Sequence, residues 1–184
     1  AVAGSFSAYV SQKNTAGCES VRAVVNYNIN PVPASPAVST PINYCQGATA
    51  SALTATATAG NTLRWYTVPT GNVALTSPVL PSTAVAGVTN YYVEQYDPSS
   101  FCTSTSRVQA VVTVKPLAPA VTNVAYCQNT TTTALNATAA IGGTLNWYGT
   151  NATGGSASTT APTPSASSAA TTTYYVSQTV NGVE

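Results

Sequence analysis

The stretch Leu63-Arg64-Trp65-Tyr66 returns as Leu145-Asn146-Trp147-Tyr148, with an offset of 147 − 65 = 82 residues. A second stretch, Tyr91-Tyr92-Val93-Glu94-Gln95, returns as Tyr174-Tyr175-Val176-Ser177-Gln178, and its later part is present once more as Tyr9-Val10-Ser11-Gln12. The offsets are 176 − 93 = 83 and 93 − 10 = 83. A period this constant predicts an array in which one structural unit is repeated along the chain.

The period also sets the expected domain boundaries. Residues 1–33 are interpreted as the C-terminal part of a repeat, residues 34–116 as a complete repeat, and residues 117–184 as a repeat that lacks its last strand. These are called the first, second and third repeat below. Because proline fixes φ and donates no hydrogen bond, the prolines at the junctions predict short, semi-rigid linkers. They are Pro31, Pro33, Pro36, Pro116 and Pro119.

Short strands are the expected secondary structure. Period-two alternation, β-branched residues and frequent Gly, Pro and Asn turns dominate the chain, which predicts an all-β fold of tandem β-sandwich repeats of about 83 residues. In the second repeat the alternation predicts strands over 51–57, 62–67, 90–96 and 106–115. The predicted core residues are Leu53 and Trp65 in the second repeat, and Leu135 and Trp147 at the equivalent places in the third.

Charge is nearly absent from the sequence, and several functional classes are thereby disfavoured. The 184 residues include five Lys or Arg, four dispersed Asp or Glu, and no His. Nucleic-acid binding needs a basic face, calcium sites need clustered carboxylates, and zinc binding or general-base catalysis by histidine needs histidine. We therefore predict no enzyme activity, no cofactor, no metal site and no nucleic-acid partner. No run approaches the roughly 18 apolar residues of a membrane span, so membrane insertion is not expected.

The order of motifs in the second repeat resembles a known family. Tyr44-Cys45-Gln46-Gly47, Gly60-Asn61-Thr62-Leu63-Arg64-Trp65-Tyr66, Thr89-Asn90-Tyr91-Tyr92-Val93 and the late Cys102 are similar to the immunoglobulin-like repeats of very large surface proteins in gliding and polymer-degrading Bacteroidota. The resemblance implies immunoglobulin-like sandwiches in an adhesin stalk or accessory module, exported to the cell surface by the type IX secretion route. It implies no catalytic residues.

Two cysteines in each repeat of a protein expected to be secreted favour one disulfide per repeat, which is Cys45–Cys102 in the second. Two observations oppose this pairing. In ordinary immunoglobulin topology the two positions lie at opposite ends of the sandwich, whereas a disulfide needs Cα atoms roughly 4.4–6.8 Å apart. Val183 also stands where the third repeat should have a cysteine, so Cys127 lacks its expected partner. The alternatives are a bridge from Cys102 to the neighbouring repeat, free structural thiols, and a metal or redox role, which the absence of CxxC spacing disfavours.

The tyrosine pairs place one side chain on each face of their strand. In the first repeat the pair is replaced by Ala8-Tyr9, so the first tyrosine of each pair is interpreted as exposed and the second as a core residue. Tyr92 and Tyr175 are therefore predicted core residues. Tyr91 and Tyr174 are candidate ligand contacts, since an exposed tyrosine can stack on a sugar ring. Cross-strand packing is the alternative interpretation.

These observations favour a non-enzymatic stalk segment of a large secreted cell-surface adhesin or filament. Two alternatives stay open: a carbohydrate-binding or accessory module of a secreted polysaccharide-degrading protein, and a filament subunit completed by strands of a neighbouring chain. The expected partners are neighbouring repeats of the same chain, a surface polysaccharide, or outer-membrane components of secretion and motility.

Overall fold

The structure, a computed structural model, describes residues 2–77 and 79–184. All regular elements in these residues are β-strands, and no helix occurs among them, which confirms the predicted all-β fold. The strands are β1 Gly4–Val10, β2 Ala23–Ile29, β3 Ile42–Cys45, β4 Thr62–Tyr66, β5 Gly87–Tyr96, β6 Val108–Lys115, β7 Ala120–Val121, β8 Ala137–Thr138, β9 Thr144–Trp147 and β10 Val176–Thr179.

The chain divides into two compact units, and each unit is assembled from three segments. Unit 1 comprises Ala1–Val38, Thr54–Ser77 and Tyr92–Gln109, and unit 2 comprises Ser39–Leu53, Pro78–Tyr91 and Ala110–Glu184. The repeat boundaries given above are a division of the sequence, and they stay a prediction.

Unit 1 contains two antiparallel pairings. β1 and β2 form a hairpin in which Phe6 lies opposite Tyr27, and the two rings stack with centroids 5.5 Å apart. β4 pairs with the second half of β5, so that Trp65 lies opposite Val93. Because successive side chains point to opposite faces, Trp65 and Val93 share the core face.

Unit 2 includes a parallel pairing and antiparallel pairings. β3 runs parallel to β6, from Ile42 opposite Val112 to Cys45 opposite Lys115. β7 pairs with β8, and β9 pairs with β10. Within unit 2, β6 lies between β3 and β5.

The predicted strand over 51–57 is present only in its burial pattern. Leu53, Ala55 and Ala57 are more buried than Thr54 and Thr56, but the backbone makes isolated contacts, namely an Ala37–Thr56 bridge and a bond from Leu53 N to Val79 O. The neighbouring segments contain Pro36, Pro41 and Pro81. Proline donates no ladder hydrogen bond, so a continuous ladder does not form there.

Candidate functional site

A buried glutamine on β5 ties the first linker to the second repeat. Gln95 is 2% exposed and shares the core face with Val93. Its Oε1 accepts hydrogen bonds from the backbone N–H of Thr58 at 2.7 Å and from Asn61 Nδ2 at 3.0 Å. Its Nε2 donates to the backbone carbonyl of Ala34 at 2.9 Å. Since Ala34 lies between the linker prolines Pro33 and Pro36, one side chain fastens the linker to the core.

The third repeat has the same arrangement. Gln178 is buried, its Nε2 donates to the carbonyl of Leu117 at 2.6 Å, and its Oε1 accepts from the N–H of Ala140 at 2.7 Å. The offsets match, because 178 − 95 = 83 and 117 − 34 = 83. Gln95 with Ala34, and Gln178 with Leu117, are called the linker clamps below.

Within unit 2, a further contact joins the third repeat to the second repeat. Asn181 and Gly182 both have positive φ, as the two central residues of a type I′ hairpin turn must, and the turn is closed by a bridge between Val180 and Val183. The Asn181 amide donates from Nδ2 to the carbonyl of Ala86 at 2.8 Å. The turn of one repeat thus contacts the backbone of the neighbouring repeat.

The second repeat also contains a nearly buried ion pair, on the face of β4 and β5 opposite to that of Trp65 and Val93. Arg107 Nε lies 3.1 Å from Glu94 Oε2, and the side chains of Arg107 and Glu94 are only 10% and 12% exposed. The Tyr66 hydroxyl donates to Glu94 Oε1 at 2.5 Å. The Arg107 guanidinium lies 3.2 Å from the centroid of the Tyr66 ring, and its Nη1 donates to two further backbone carbonyls. Both charges are therefore hydrogen-bonded within the protein.

Burial and the hydrogen bond to Glu94 raise the pKa of Tyr66 above its ordinary value of 10.0. The phenol consequently stays protonated and keeps donating to the carboxylate. Because the pKa is higher in the folded state, the stabilisation from this proton is complete below pH 10 and is lost as the pH rises through the raised pKa.

The third repeat keeps the tyrosine and the carboxylate but contains no cation. Tyr148, at the place of Tyr66, donates from its hydroxyl to Glu184 Oε1 at 2.6 Å. Ser177, at the place of Glu94, also donates to Glu184, and these two hydrogen bonds, that of Ser177 first, lower the pKa of Glu184. Residues 117–184 contain neither arginine nor lysine.

The structure corrects the predicted orientation of the tyrosine pairs. Tyr91 and Tyr92 are both half-buried, Tyr91 on the face of Val93 and Tyr92 on the face of the buried Tyr66, so neither is the exposed member of its pair. Tyr175, a predicted core residue, is 38% exposed, and Tyr174, a predicted exposed residue, is half-buried. The prediction misread the alanine at position 8, because alanine is as common in cores as at surfaces. An error of one residue in phase moves every side chain to the other face.

The remaining predicted core residues lie as follows. Leu53, Trp65 and Trp147 are buried, and Leu135 is half-buried. Leu135, Trp147 and Tyr174 line a cavity of about 580 Å³ in the third repeat, together with Val176 and the segment 121–126.

The cysteines are free thiols. Cys18, Cys45 and Cys127 are exposed, whereas Cys102 is half-buried with its Sγ 3.6 Å from the carbonyl of Ser100. The predicted Cys45–Cys102 disulfide is thus not shown. Cys45 lies opposite Lys115, the last residue of β6, whereas Cys102 precedes the first residue of that strand by 108 − 102 = 6 residues.

Thiol labelling tests this arrangement. We expect N-ethylmaleimide to modify all four cysteines of the native protein without a reductant, and Cys102 more slowly than the three exposed thiols. Peptide mass spectrometry at successive times gives the rate at each position, and the urea-unfolded, unreduced protein is the control. Modification of Cys45 and Cys102 only after reduction would instead establish the disulfide.

Two further findings concern the described residues, 2–77 and 79–184. They contain no group of three or more His, Cys, Asp or Glu side chains placed to hold a metal ion. They also contain no helix long and apolar enough to cross a membrane.

The comparison with protein families identifies the repeats. The family model described as "Ig-like domain CHU_C associated" matches residues 33–116 and again residues 116–183. The chain belongs to this family. Two tandem Ig-like matches are consistent with the predicted resemblance to the repeats of Bacteroidota proteins. No curated protein matches the chain.

The linker clamps of these Ig-like repeats were missed by the sequence analysis. A signal was present, because glutamine ends the Tyr-Val-x-Gln stretch in all three repeats, at Gln12, Gln95 and Gln178. A glutamine kept at a core-facing strand position predicts a buried amide with fixed partners. Arg107 and Glu94 gave no comparable signal, since the third repeat has serine in place of Glu94.

Proposed function

We propose that this chain is a non-enzymatic structural stalk segment of a large secreted cell-surface adhesin or filament, in which Ig-like repeats act as mechanically robust spacers. The linker clamps carry the proposal. A linker that is hydrogen-bonded to the core of the repeat it enters transmits tension directly to that core. The boundaries 34–116 and 117–184 define the proposed spacer units.

The strand pairing in unit 2 supports a load-bearing role. β3 is the first strand of the second repeat and β6 is its last, and the two run parallel. When tension pulls the start of β3 and the end of β6 in opposite directions, the hydrogen bonds between them are loaded in shear. Bonds loaded in shear must break together rather than one after another, which raises the force needed for rupture.

The surface composition suits a spacer outside the cell. Solubility rests on Thr, Ser, Asn and Gln rather than on charge, since only 5% of the residues are charged. Interactions between so few exposed charges change little with ionic strength. The proposed partners are the neighbouring repeats and, at the ends of the stalk, a surface polysaccharide or outer-membrane components of secretion and motility.

Single-molecule pulling tests the spacer function. The family match covers 116 − 33 + 1 = 84 residues of the second repeat, so its unfolding should release somewhat less than the roughly 280–300 Å that 84 extended residues span. We expect this event as a discrete force peak, because the hydrogen bonds between β3 and β6 are loaded in shear. Featureless extension of both repeats at low force would contradict the proposal.

A pair of variants tests whether the β3–β6 pairing determines the unfolding force of the second repeat. Thr113 lies opposite Asn43 in the middle of β6. Thr113→Pro removes a backbone donor from the strand and should lower the unfolding force, whereas Thr113→Ala, the matched control, should leave it nearly unchanged.

A glycan array separates the spacer from a carbohydrate-binding module. We expect the protein to be retained on no glycan. Specific retention that is lost on substitution of the exposed Tyr175 by alanine would favour the binding module instead.

A further inference from the structure

The contact between the second and third repeats depends on one side-chain amide. Asn181 donates from Nδ2 to the carbonyl oxygen of Ala86 at 2.8 Å. Among the residues that the structure describes, this is the one hydrogen bond between residues 34–116 and residues 117–184. A chemical change in this amide therefore acts directly on the junction between the two repeats.

The backbone of the second repeat lies close to the Asn181 side chain. Gly87 has a φ of +150°, and a Cβ added to it would lie 3.6 Å from the Cβ of Asn181. Glycine adopts this conformation without the steric cost that a side chain would bring. Asn181 itself is exposed, so water reaches the residue that makes the contact.

Asn181 also differs from the other asparagines in the residue that follows it. Each of the other 13 asparagines of the chain is followed by a residue other than glycine. A side chain on the following residue hinders the approach of its backbone nitrogen to the amide carbon of asparagine. Gly182 has no side chain, so Asn181 has the least hindered path to an intramolecular reaction.

The turn that contains the two residues is short and is closed locally. Two backbone hydrogen bonds, both between Val180 and Val183, hold it. Asn181 and Gly182 are both exposed. Local opening of a short exposed turn costs much less free energy than global unfolding. Each such opening lets the backbone nitrogen of Gly182 approach Cγ of Asn181.

The reaction that this geometry favours is deamidation. The backbone nitrogen of Gly182 loses its proton to hydroxide and attacks Cγ of Asn181, so that a new N–Cγ bond forms. The Cγ–Nδ2 bond breaks, and Nδ2 takes a proton from water and leaves as ammonia. Water then opens the cyclic imide at either of its carbonyl groups, which gives aspartate or isoaspartate. Overall, one water is consumed and one ammonia is released.

The atom that leaves is the atom that makes the contact between the repeats. Nδ2 of Asn181 is the donor to the Ala86 carbonyl. The carboxylate that replaces the amide is ionised at neutral pH and only accepts hydrogen bonds. Two acceptors then face each other, so the hydrogen bond is replaced by repulsion.

We propose that Asn181 is a site of spontaneous deamidation, and that its conversion to aspartate or isoaspartate releases the third repeat from the second. The proposal goes beyond the spacer function, because it makes the stiffness of a junction depend on the age of the protein. Deamidation leaves the two repeats covalently connected, so an aged junction becomes more flexible while the array stays continuous.

Incubation of the full chain at mildly alkaline pH tests the reaction, since hydroxide supplies the base. We expect peptide mass spectrometry at successive times to find aspartate and isoaspartate at position 181 before conversion of any other asparagine. Gly182→Asn is the control variant, because asparagine tolerates positive φ while its side chain should slow the reaction several-fold. An Asn181 that reacts no faster than the other asparagines, or an unchanged rate in the variant, would overturn the proposal.

NMR relaxation of the backbone amides tests the effect on the junction. We expect β6 and β10 to share one rotational correlation time in freshly prepared wild type, and β10 to have a shorter one in Asn181→Asp and in aged wild type. Asn151→Asp introduces the same charge at an exposed asparagine of the third repeat that takes no part in this hydrogen bond, and should behave as fresh wild type. Equal effects of the two substitutions, or no effect of Asn181→Asp, would contradict the proposed release.

Discussion

Replacement of Arg107 by methionine is expected to lower the free energy of unfolding of the second repeat by about 3–5 kcal/mol, because Glu94 is then left as a nearly buried charge without its partner. Methionine keeps much of the length and apolar bulk of the side chain, so the effect arises mainly from the lost charge and hydrogen bonds. The measurement is urea unfolding followed by the fluorescence of Trp65 in a Trp147→Phe background, where Trp65 is the remaining tryptophan.

Arg64→Met is the control for this prediction. The Arg64 guanidinium stacks 3.4 Å from the centroid of the Tyr96 ring. Both side chains are half-buried, and loss of a stacking contact of this kind costs about 0.5–2 kcal/mol. Similar losses for Arg64→Met and Arg107→Met would show that Glu94 does not depend on its ion pair.

The double variant Glu94→Gln with Arg107→Met separates the charge from the packing. Glutamine can still accept the hydrogen bond from Tyr66 and leaves no buried charge behind. We therefore expect the double variant to be more stable than Arg107→Met alone. A double variant that is less stable than Arg107→Met would contradict the electrostatic explanation.

Replacement of Gln95 by leucine is expected to lower the stability of the second repeat by about 2–4 kcal/mol, since each buried polar group left unsatisfied costs about 1–3 kcal/mol. The groups that lose their partner are the N–H of Thr58, the Asn61 amide and the carbonyl of Ala34. Leucine is apolar and of similar size, so the core stays filled. The same Trp65 fluorescence measurement applies.

Two control variants accompany the prediction for Gln95→Leu. Gln109→Leu changes an exposed glutamine in the same repeat and should alter stability by less than about 0.5 kcal/mol. Gln178→Leu should destabilise the third repeat, which Trp147 reports in a Trp65→Phe background, and leave the second nearly unchanged. If Gln95→Leu were no worse than Gln109→Leu, the linker clamp would have no energetic role.

The sequence predicted those features that depend on a long repeat or a clear alternation. The 83-residue offsets predicted the tandem organisation, and the strand containing Trp65 was predicted within one residue of β4. Features decided by a single residue were less accessible. The prediction of which face Tyr91 and Tyr92 occupy depended on the phase of the strand alternation, and that phase was assigned from a single alanine, Ala8.

Contacts between distant segments were also beyond the sequence. Arg107 reaches Glu94 and Tyr66 only because the fold brings three consecutive strands, β4, β5 and β6, together, and no local pattern encodes that meeting. The strand predicted over 51–57 does not form a continuous hydrogen-bonded ladder, for a related reason. Its buried and exposed side chains were predicted correctly, but the neighbouring segments are rich in proline, which has no backbone N–H to donate.

The linker clamps hold the chain by its main-chain carbonyls, at Ala34 and Leu117, and by no side chain of the linker. Every amino acid has that carbonyl, so the junction places little demand on the identity of the residue that it holds. The side chains of the linker can therefore change in evolution without loss of this attachment. A gene encoding such an array can duplicate and diverge at its joints without redesigning how one module is fastened to the next.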